Sequence, residues 1–239
     1  MTELDLEAND IGLEEIIVLS KALQVNSNLK ILKLNNMNLR FDELQSILQI
    51  FQFNSTLQHL HLGDNCISTA EATLIAQSLQ QNCPLTTLNL SGNELRNEGV
   101  TAIAQALQFN TTLTCLSLER TSIDIDGIKS ISEVLESNST LQNLNISRNI
   151  IRGGINSLSQ SLQTNFTLTS LHLLGTQIGD DDCSAIAQLL QFNSTLTYLN
   201  LSKTVSALGI QYISQALYSN TTLKILDISF SLVGNEGIT

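Results

Sequence analysis

Leu85-Thr86-Thr87-Leu88-Asn89-Leu90-Ser91-Gly92-Asn93-Glu94-Leu95, followed by Gly99-Val100, Ile103-Ala104, Leu107 and Asn110, decides the architecture. Its first half alternates, with Leu88 and Leu90 separated by polar residues, as a short strand does. Its second half places Val100, Ile103, Ala104 and Leu107 at the i, i+3, i+4, i+7 spacing of an amphipathic helix. The pattern L-x-x-L-x-L-x-x-[N/T] recurs with its first residue at Met1, Leu29, Leu57, Leu85, Leu113, Leu141, Leu168, Leu196 and Leu223. A fixed period of this size means a solenoid, in which each unit buries its apolar face only against its neighbours.

The helical column persists as Ile16/Leu19/Ser20/Leu23, Leu44/Ile47/Leu48/Phe51, Ala72/Ile75/Ala76/Leu79, Ile128/Ile131/Ser132/Leu135, Ile155/Leu158/Ser159/Leu162, Cys183/Ile186/Ala187/Leu190 and Ile210/Ile213/Ser214/Leu217. Its third position is Ala or Ser except at Leu48, whose bulk is expected to push that helix outward. An Asn follows each helix: Asn26, Asn54, Asn82, Asn110, Asn138, Asn165, Asn193 and Asn220. Asn tolerates the left-handed conformation that ends helices, and that role is expected here. The triplets Asn54-Ser55-Thr56, Asn110-Thr111-Thr112, Asn138-Ser139-Thr140, Asn193-Ser194-Thr195 and Asn220-Thr221-Thr222 match the glycosylation pattern but read as structure, since each occupies this same corner.

With these residues in view, the chain resembles the ribonuclease-inhibitor type of leucine-rich repeat over essentially its whole length. The resemblance implies an α/β right-handed solenoid, a horseshoe with a parallel sheet on its concave side and helices on its convex side. It also implies a side-chain ladder at Asn9, Asn65, Asn93 and Asn149, interrupted where Met37, Thr121, Thr176, Thr204 and Ser231 occupy the same column. Residues 1–239 read as one leucine-rich-repeat domain of eight strand-helix repeats plus a final strand, because no Pro/Gly/Ser linker or composition shift divides them. The chain begins in a strand and stops at Gly237-Ile238-Thr239 as a ninth helix begins. Solenoid ends normally carry polar caps, so bare ends point to a fragment of a longer protein or to end-to-end association, the fragment being preferred.

No apolar run approaches the roughly 20 residues that span a bilayer. Cys66, Cys83, Cys115 and Cys183 fall in a strand-to-helix loop, a helix-to-strand loop, a strand and a helix, too scattered to pair. They read as free thiols in a reducing, cytoplasmic setting. The formal charge of −11 suggests a basic partner, but Asp42/Glu43, Glu98, Asp124/Asp126, Asp180/Asp181/Asp182 and Glu236 sit at helix starts, where carboxylates complement the dipole. With no basic stripe, nucleic acid is excluded as a partner.

Function is read from the third, fifth, seventh and eighth residues of each strand motif, since the leucines between them point inward. The middle repeats present small polar residues there. The C-terminal third presents His172, Leu174, Tyr198, Lys203, Ile225 and Phe230 close to Arg148, including the aromatic and Arg types that concentrate binding energy. These seven residues are the candidate site for a protein ligand of a module that is the sensor part of a larger protein. A self-associating scaffold is the second reading. His59 and His61 share a face but lack further ligands, so no metal or cofactor is expected. No nucleophile-base pair, carboxylate pair or phosphate loop occurs at usable spacing, so the chain reads as a non-enzyme. One enzyme-related alternative comes from the resemblance: Ran GTPase-activating proteins share this repeat and use an Arg and an Asn near strand ends, as Arg148-Asn149 and Arg152 superficially do.

Overall fold

The computed structural model describes residues 1–231. Glu236 and the start of a ninth helix at Gly237 therefore lie outside the described residues. The chain packs as two compact units, Met1–Thr121 and Ser122–Thr239.

In the first unit, strands β1 (Glu3–Asp5), β2 (Ile31–Lys33), β3 (His59–His61), β4 (Thr87–Asn89) and β5 (Cys115–Ser117) pair in parallel. Helices α1 (Leu13–Val25), α2 (Phe41–Leu48), α3 (Thr69–Gln80) and α4 (Arg96–Leu107) link them. In the second, strands β6 (Asn143–Asn145), β7 (Ser170–His172), β8 (Tyr198–Asn200) and β9 (Ile225–Asp227) pair likewise. Helix α5 (Ile125–Leu135) precedes them, and α6 (Ile155–Thr164), α7 (Asp180–Phe192) and α8 (Ala207–Leu217) link them. Each unit is an α/β strand-helix solenoid. The register aligns the repeats: Leu4 faces Leu32, then Leu60, Leu88 and Leu116, while Leu144 faces Leu171, Leu199 and Leu226. The core lies between strands and helices, where the motif leucines and the helical column are buried in the inner repeats.

The corner asparagines do not end helices by turning left-handed. Asn26, Asn165 and Asn193 have φ of −75°, −86° and −76°, and among the eight only Asn82, at φ +53°, is left-handed. Their side chains work instead. The Oδ1 of Asn54 accepts from the backbone N–H of Thr56 (2.9 Å) and Leu57 (2.8 Å), closing an Asx-type turn into the next strand. Its Nδ2 donates to the Leu23 carbonyl (2.7 Å), in the last turn of the preceding repeat's helix, where carbonyls lack a full helical partner set. Asn165 and Asn193 repeat this on Leu135 and Leu162. The exception has a covalent cause. Two residues after Asn82 stands Pro84, which has no N–H to give, so the turn cannot close and the Asn82 Oδ1 accepts from Thr111 of the next repeat (2.8 Å). The burial of Asn54, Asn110, Asn138 and Asn193 supports the structural reading of the glycosylation-like triplets.

The ladder implied by the resemblance is present and continues through hydroxyls. Asn65 accepts from Met37 (3.0 Å) and Leu39 (3.1 Å) and is itself bonded to Asn93. At Thr204 the hydroxyl donates to the Leu173 carbonyl and accepts from Gly175, and Ser231 accepts from Val205. The shorter side chains still reach a neighbouring repeat.

At buried Leu48 helix α2 stops and the chain continues as a 3-10 turn, Gln49–Gln52. Beside it opens a groove of about 580 Å³ lined by Gln45, Gln49, Gln52, Gln77, Gln81 and Phe53, among others.

The acidic helix starts cap as read from the sequence. Glu43 accepts from the Arg40 N–H, Asp124 from Asp126, and buried Asp182 from both Gly179 and, across the repeat, Gly153. The column of Glu43, Glu71 and Asp182 holds glycine at Gly99, Gly154 and Gly209. There the preceding helix lies against the backbone: a Cβ at Gly99 would sit 3.1 Å from the Ala72 Cβ, and one at Gly154 3.2 Å from the Ile128 Cγ2.

Candidate functional site

The outward residues of each strand motif stand on a backbone that repeats as regularly as the core. The eighth residue adopts positive φ in all nine motifs: Ala8, Asn36, Asp64, Gly92, Arg120, Arg148, Gly175, Lys203 and Phe230. A side chain in this region costs about 1–2 kcal/mol. Its recurrence in every motif marks it as part of the strand-to-helix turn rather than strain reserved for one site. The turn holds the eighth side chain clear of the strand, which is why Arg148, Lys203 and Phe230 are all exposed.

In the second unit the structure brings the candidate residues together in pairs. The His172 and Tyr198 rings lie 4.8 Å apart, tilted by 36°, an arrangement favourable for aromatic contacts. The His172 Nε2 is 3.1 Å from the Ser170 hydroxyl on the same strand. Tyr198 and Ile225 face each other in the β8–β9 register, which puts Ile225, 54% exposed, in the same row. Lys203 carries its Nζ 5.5 Å from the centre of the Phe230 ring, a cation-π pair whose aromatic member is 84% exposed.

Two of the seven candidates stand apart from these pairs. Leu174 is half-buried and its N–H donates to the Ser147 hydroxyl (3.1 Å). Arg148 lies beside Gly175, its Cγ 3.9 Å from where a Cβ on that glycine would be. The seventh position is less outward than alternation predicts in the inner motifs of this unit: Ser147 and Ser202 are buried and Leu174 half-buried, because the chain is already turning toward the eighth residue.

The first unit differs in its charge. Lys33 pairs with Glu3 (2.6 Å) and Asp5 (3.4 Å), and these contacts raise the Lys33 pKa. Burial, with the Lys33 charge second, holds the His61 imidazole below its ordinary pKa. The arrangement disfavours the charged form of His61. Among the described residues no group of three or more His, Cys, Asp or Glu side chains is placed to hold a metal. Farther along, Asp64 and Arg120 form an ion pair that spans two repeats by passing directly over Gly92. A Cβ at Gly92 would collide with the Asp64 carboxylate, and the residue has φ +73°. Gly92→Ala therefore breaks the bridge and strains the turn. The expected cost is about 1–2 kcal/mol, nearly all from the backbone, since an exposed ion pair contributes under about 1 kcal/mol. Thermal unfolding checks it, with Asp64→Asn as the control that removes the pair alone.

Two features of the surface escaped the sequence reading. One is the role of glycine at the eighth position, legible as Gly92 and Gly175 in a column that from Asp64 onward otherwise holds charged or bulky residues. The other is a row of exposed aromatic side chains at the helix-end corners: Phe53 and Phe109 in the first unit, Phe166, Phe192 and Tyr218 in the second. Its signal was an aromatic residue next to the corner Asn or, for Tyr218, two residues before it.

The four thiols lie where the repeat register puts them, and all are free. Burial, aided by Asp180 and Asp182, pushes the Cys183 thiol up to about 11. No helix among the described residues is long and apolar enough to cross a membrane.

Comparison with known proteins bears on the repeat and on its use. Residues 53–70, 81–104, 164–187 and 219–239 match the family model described as Leucine Rich repeat. No curated protein matches the chain. Among solved structures, one titled Leiomodin-1 Actin-Binding Site 2 is similar at a TM-score of 0.55 and 29% identity, over 61% of this chain and 86% of that one. The tropomodulin C-terminal domain of Caenorhabditis elegans is similar at a TM-score of 0.51 and 16% identity, over 62% of this chain and 92% of that one, a likeness of fold alone.

Proposed function

We propose that this chain is a non-catalytic protein-recognition module of the ribonuclease-inhibitor repeat type. It works in the cytoplasm and holds a protein ligand on the strand face of its second unit through Arg148, His172, Leu174, Tyr198, Lys203, Ile225 and Phe230. The observation that carries the reading is the pairing of aromatic and cationic side chains on this face, half-buried His172 with half-buried Tyr198 and exposed Lys203 with exposed Phe230. The corresponding rows of the middle repeats hold small polar residues such as Thr87, Asn89, Asn143 and Asn145. Aromatic residues bury a large area at low entropic cost, so such pairs are where binding energy gathers.

The alternative of a Ran GTPase-activating role loses its Asn. Asn149 is buried and donates to the carbonyls of Ile146 (2.9 Å) and Ser147 (3.2 Å), which commits it to the ladder.

Actin is the first ligand to test, because the leiomodin structure that resembles this chain is an actin-binding site. Purified actin and a cell lysate are offered to the wild-type chain and to a variant with Ala at His172, Tyr198 and Phe230. Wild-type binding of actin or of a specific lysate protein is expected, with a loss of about tenfold or more in the variant, as hot-spot aromatics give. Equal binding by the two chains refutes the site. Concentration-dependent oligomers of the wild type that the variant does not form favour the self-associating scaffold.

A further inference from the structure

The groove of about 580 Å³ on the helix side of the first unit runs between α2, continued by the 3-10 turn Gln49–Gln52, and α3. It stays open because α3 packs less extensively along α2 than along α4. Its size falls within the range of about 300–1,000 Å³ that ligand sites occupy. Its lining is unlike the rest of the surface. No Asp, Glu, Lys or Arg contributes to it, although the chain carries 22 acidic and 11 basic residues. Glutamines replace them: Gln45, Gln49 and Gln52 on the α2 side, Gln77 and Gln81 on the α3 side. All five are exposed, and none of their carboxamides bonds to another described residue. Their spacing is regular. Gln45 to Gln49 and Gln77 to Gln81 are four helical residues apart, a rise of about 6 Å. Gln49 to Gln52 is three residues of 3-10 helix, again about 6 Å. An extended peptide repeats every two residues, over about 6.7 Å, and its main-chain groups face alternate sides.

We propose that this groove binds an extended, uncharged peptide segment of a partner protein by its main chain. Alternate residues of the segment offer N–H and C=O to Gln45, Gln49 and Gln52, and the residues between them offer theirs to Gln77 and Gln81. A carboxamide suits that task because it both donates and accepts, as a peptide group does. A charged ligand would lose water here and find no counter-charge, so the lining selects a neutral one. Phe53 lines the same groove and is 73% exposed, a ring for an apolar side chain of the segment to cover. The groove lies in the first unit and the strand-face site in the second, so either can be lost without the other.

The test titrates the full chain, followed by its side-chain amide NMR signals, with acetyl-Ser-Leu-Ser-Leu-Ser-amide, with the same peptide N-methylated on both leucines and with maltotriose. Saturable shifts of the Gln49 and Gln77 amides are expected with the first peptide. Binding should be about tenfold or more weaker for the methylated peptide, which has lost two donors, and about fivefold weaker in Gln49→Ala or Gln77→Ala, the scale of a neutral hydrogen bond. Phe53→Ala should weaken it by about tenfold, as removal of an aromatic anchor does. All three substituted side chains are exposed, so the variants should unfold at the wild-type midpoint. The variant with Ala at His172, Tyr198 and Phe230 should bind the peptide as the wild type does. Equal binding of the two peptides, or no shift at these glutamines, overturns the proposal. So does tighter binding of maltotriose, which would make this a polyol site, or loss of the peptide in the triple variant, which would place it on the strand face.

Discussion

Asn193→Ala should destabilise the second unit by about 3–5 kcal/mol, one of the largest effects of any single polar substitution in this chain. Asn193 is 6% exposed. Its Oδ1 accepts from the N–H groups of Thr195 (2.9 Å) and Leu196 (2.7 Å), and its Nδ2 donates to the Leu162 carbonyl at 2.7 Å. Alanine leaves two N–H groups and a carbonyl without their partner, and each buried orphan costs about 1–3 kcal/mol. Water admitted to the corner offsets part of that sum, which keeps the total below the simple product. The loss also uncouples two repeats, because the bond to Leu162 joins the end of one helix to the corner of the next. In a solenoid such nearest-neighbour terms carry the cooperativity. Denaturant unfolding of the full chain reads the effect. The control is Asn82→Gly, expected to change stability by less than about 1 kcal/mol: glycine suits the φ of +53° there, and Asn82 is exposed with no Asx turn to lose. A similar cost at both positions would mean that the corner bonds are not what holds the repeats together.

Gly209→Ala is the second large effect, and its sign runs against helix propensity. Gly209 lies in α8, where alanine is favoured over glycine by about 1 kcal/mol on intrinsic grounds. Packing decides otherwise. A Cβ there would stand 2.6 Å from the Cys183 Sγ, 3.1 Å from the Cys183 Cβ and 3.1 Å from the Val205 Cγ1, all buried. Overfilling a packed core costs about 1–3 kcal/mol, and a contact this short belongs at the upper end, so a net loss of about 2 kcal/mol is expected. Cys183→Ala removes the closest atom. In that background Gly209→Ala should cost at least about 1 kcal/mol less, a coupling that a double-mutant cycle measures directly. Additive effects would show that α8 accommodates the methyl by shifting, and that the glycine column does not set the spacing of the helices.

How much of this was legible beforehand follows from the range of each interaction. The period of Leu85 to Leu113 and its repetitions identified strand and helix in every unit, because alternation and 3.6-residue periodicity are local properties. The helix-start carboxylates were legible for the same reason: a cap and the N–H it accepts are three residues apart, as at Glu43 and Arg40. The corner asparagines were located but misread. Their conformation depends on a carbonyl about 30 residues earlier in sequence, as Asn54 does on Leu23, and no local preference contains that partner. Of the candidate site, the residue types were legible and the pairings were not, since His172 meets Tyr198 and Lys203 meets Phe230 only when neighbouring repeats stack.

By itself, then, the sequence determined the strand-helix unit, its register and which residues line the core between strand and helix, all consequences of spacing along one chain. Only the tertiary structure decided what the glycines are for. Gly92 and Gly209 look alike in sequence, but one gives passage to an ion pair and the other to a neighbouring helix. What fills the space where a side chain is missing is set by residues one or two repeats away, and it is stacking that brings them there.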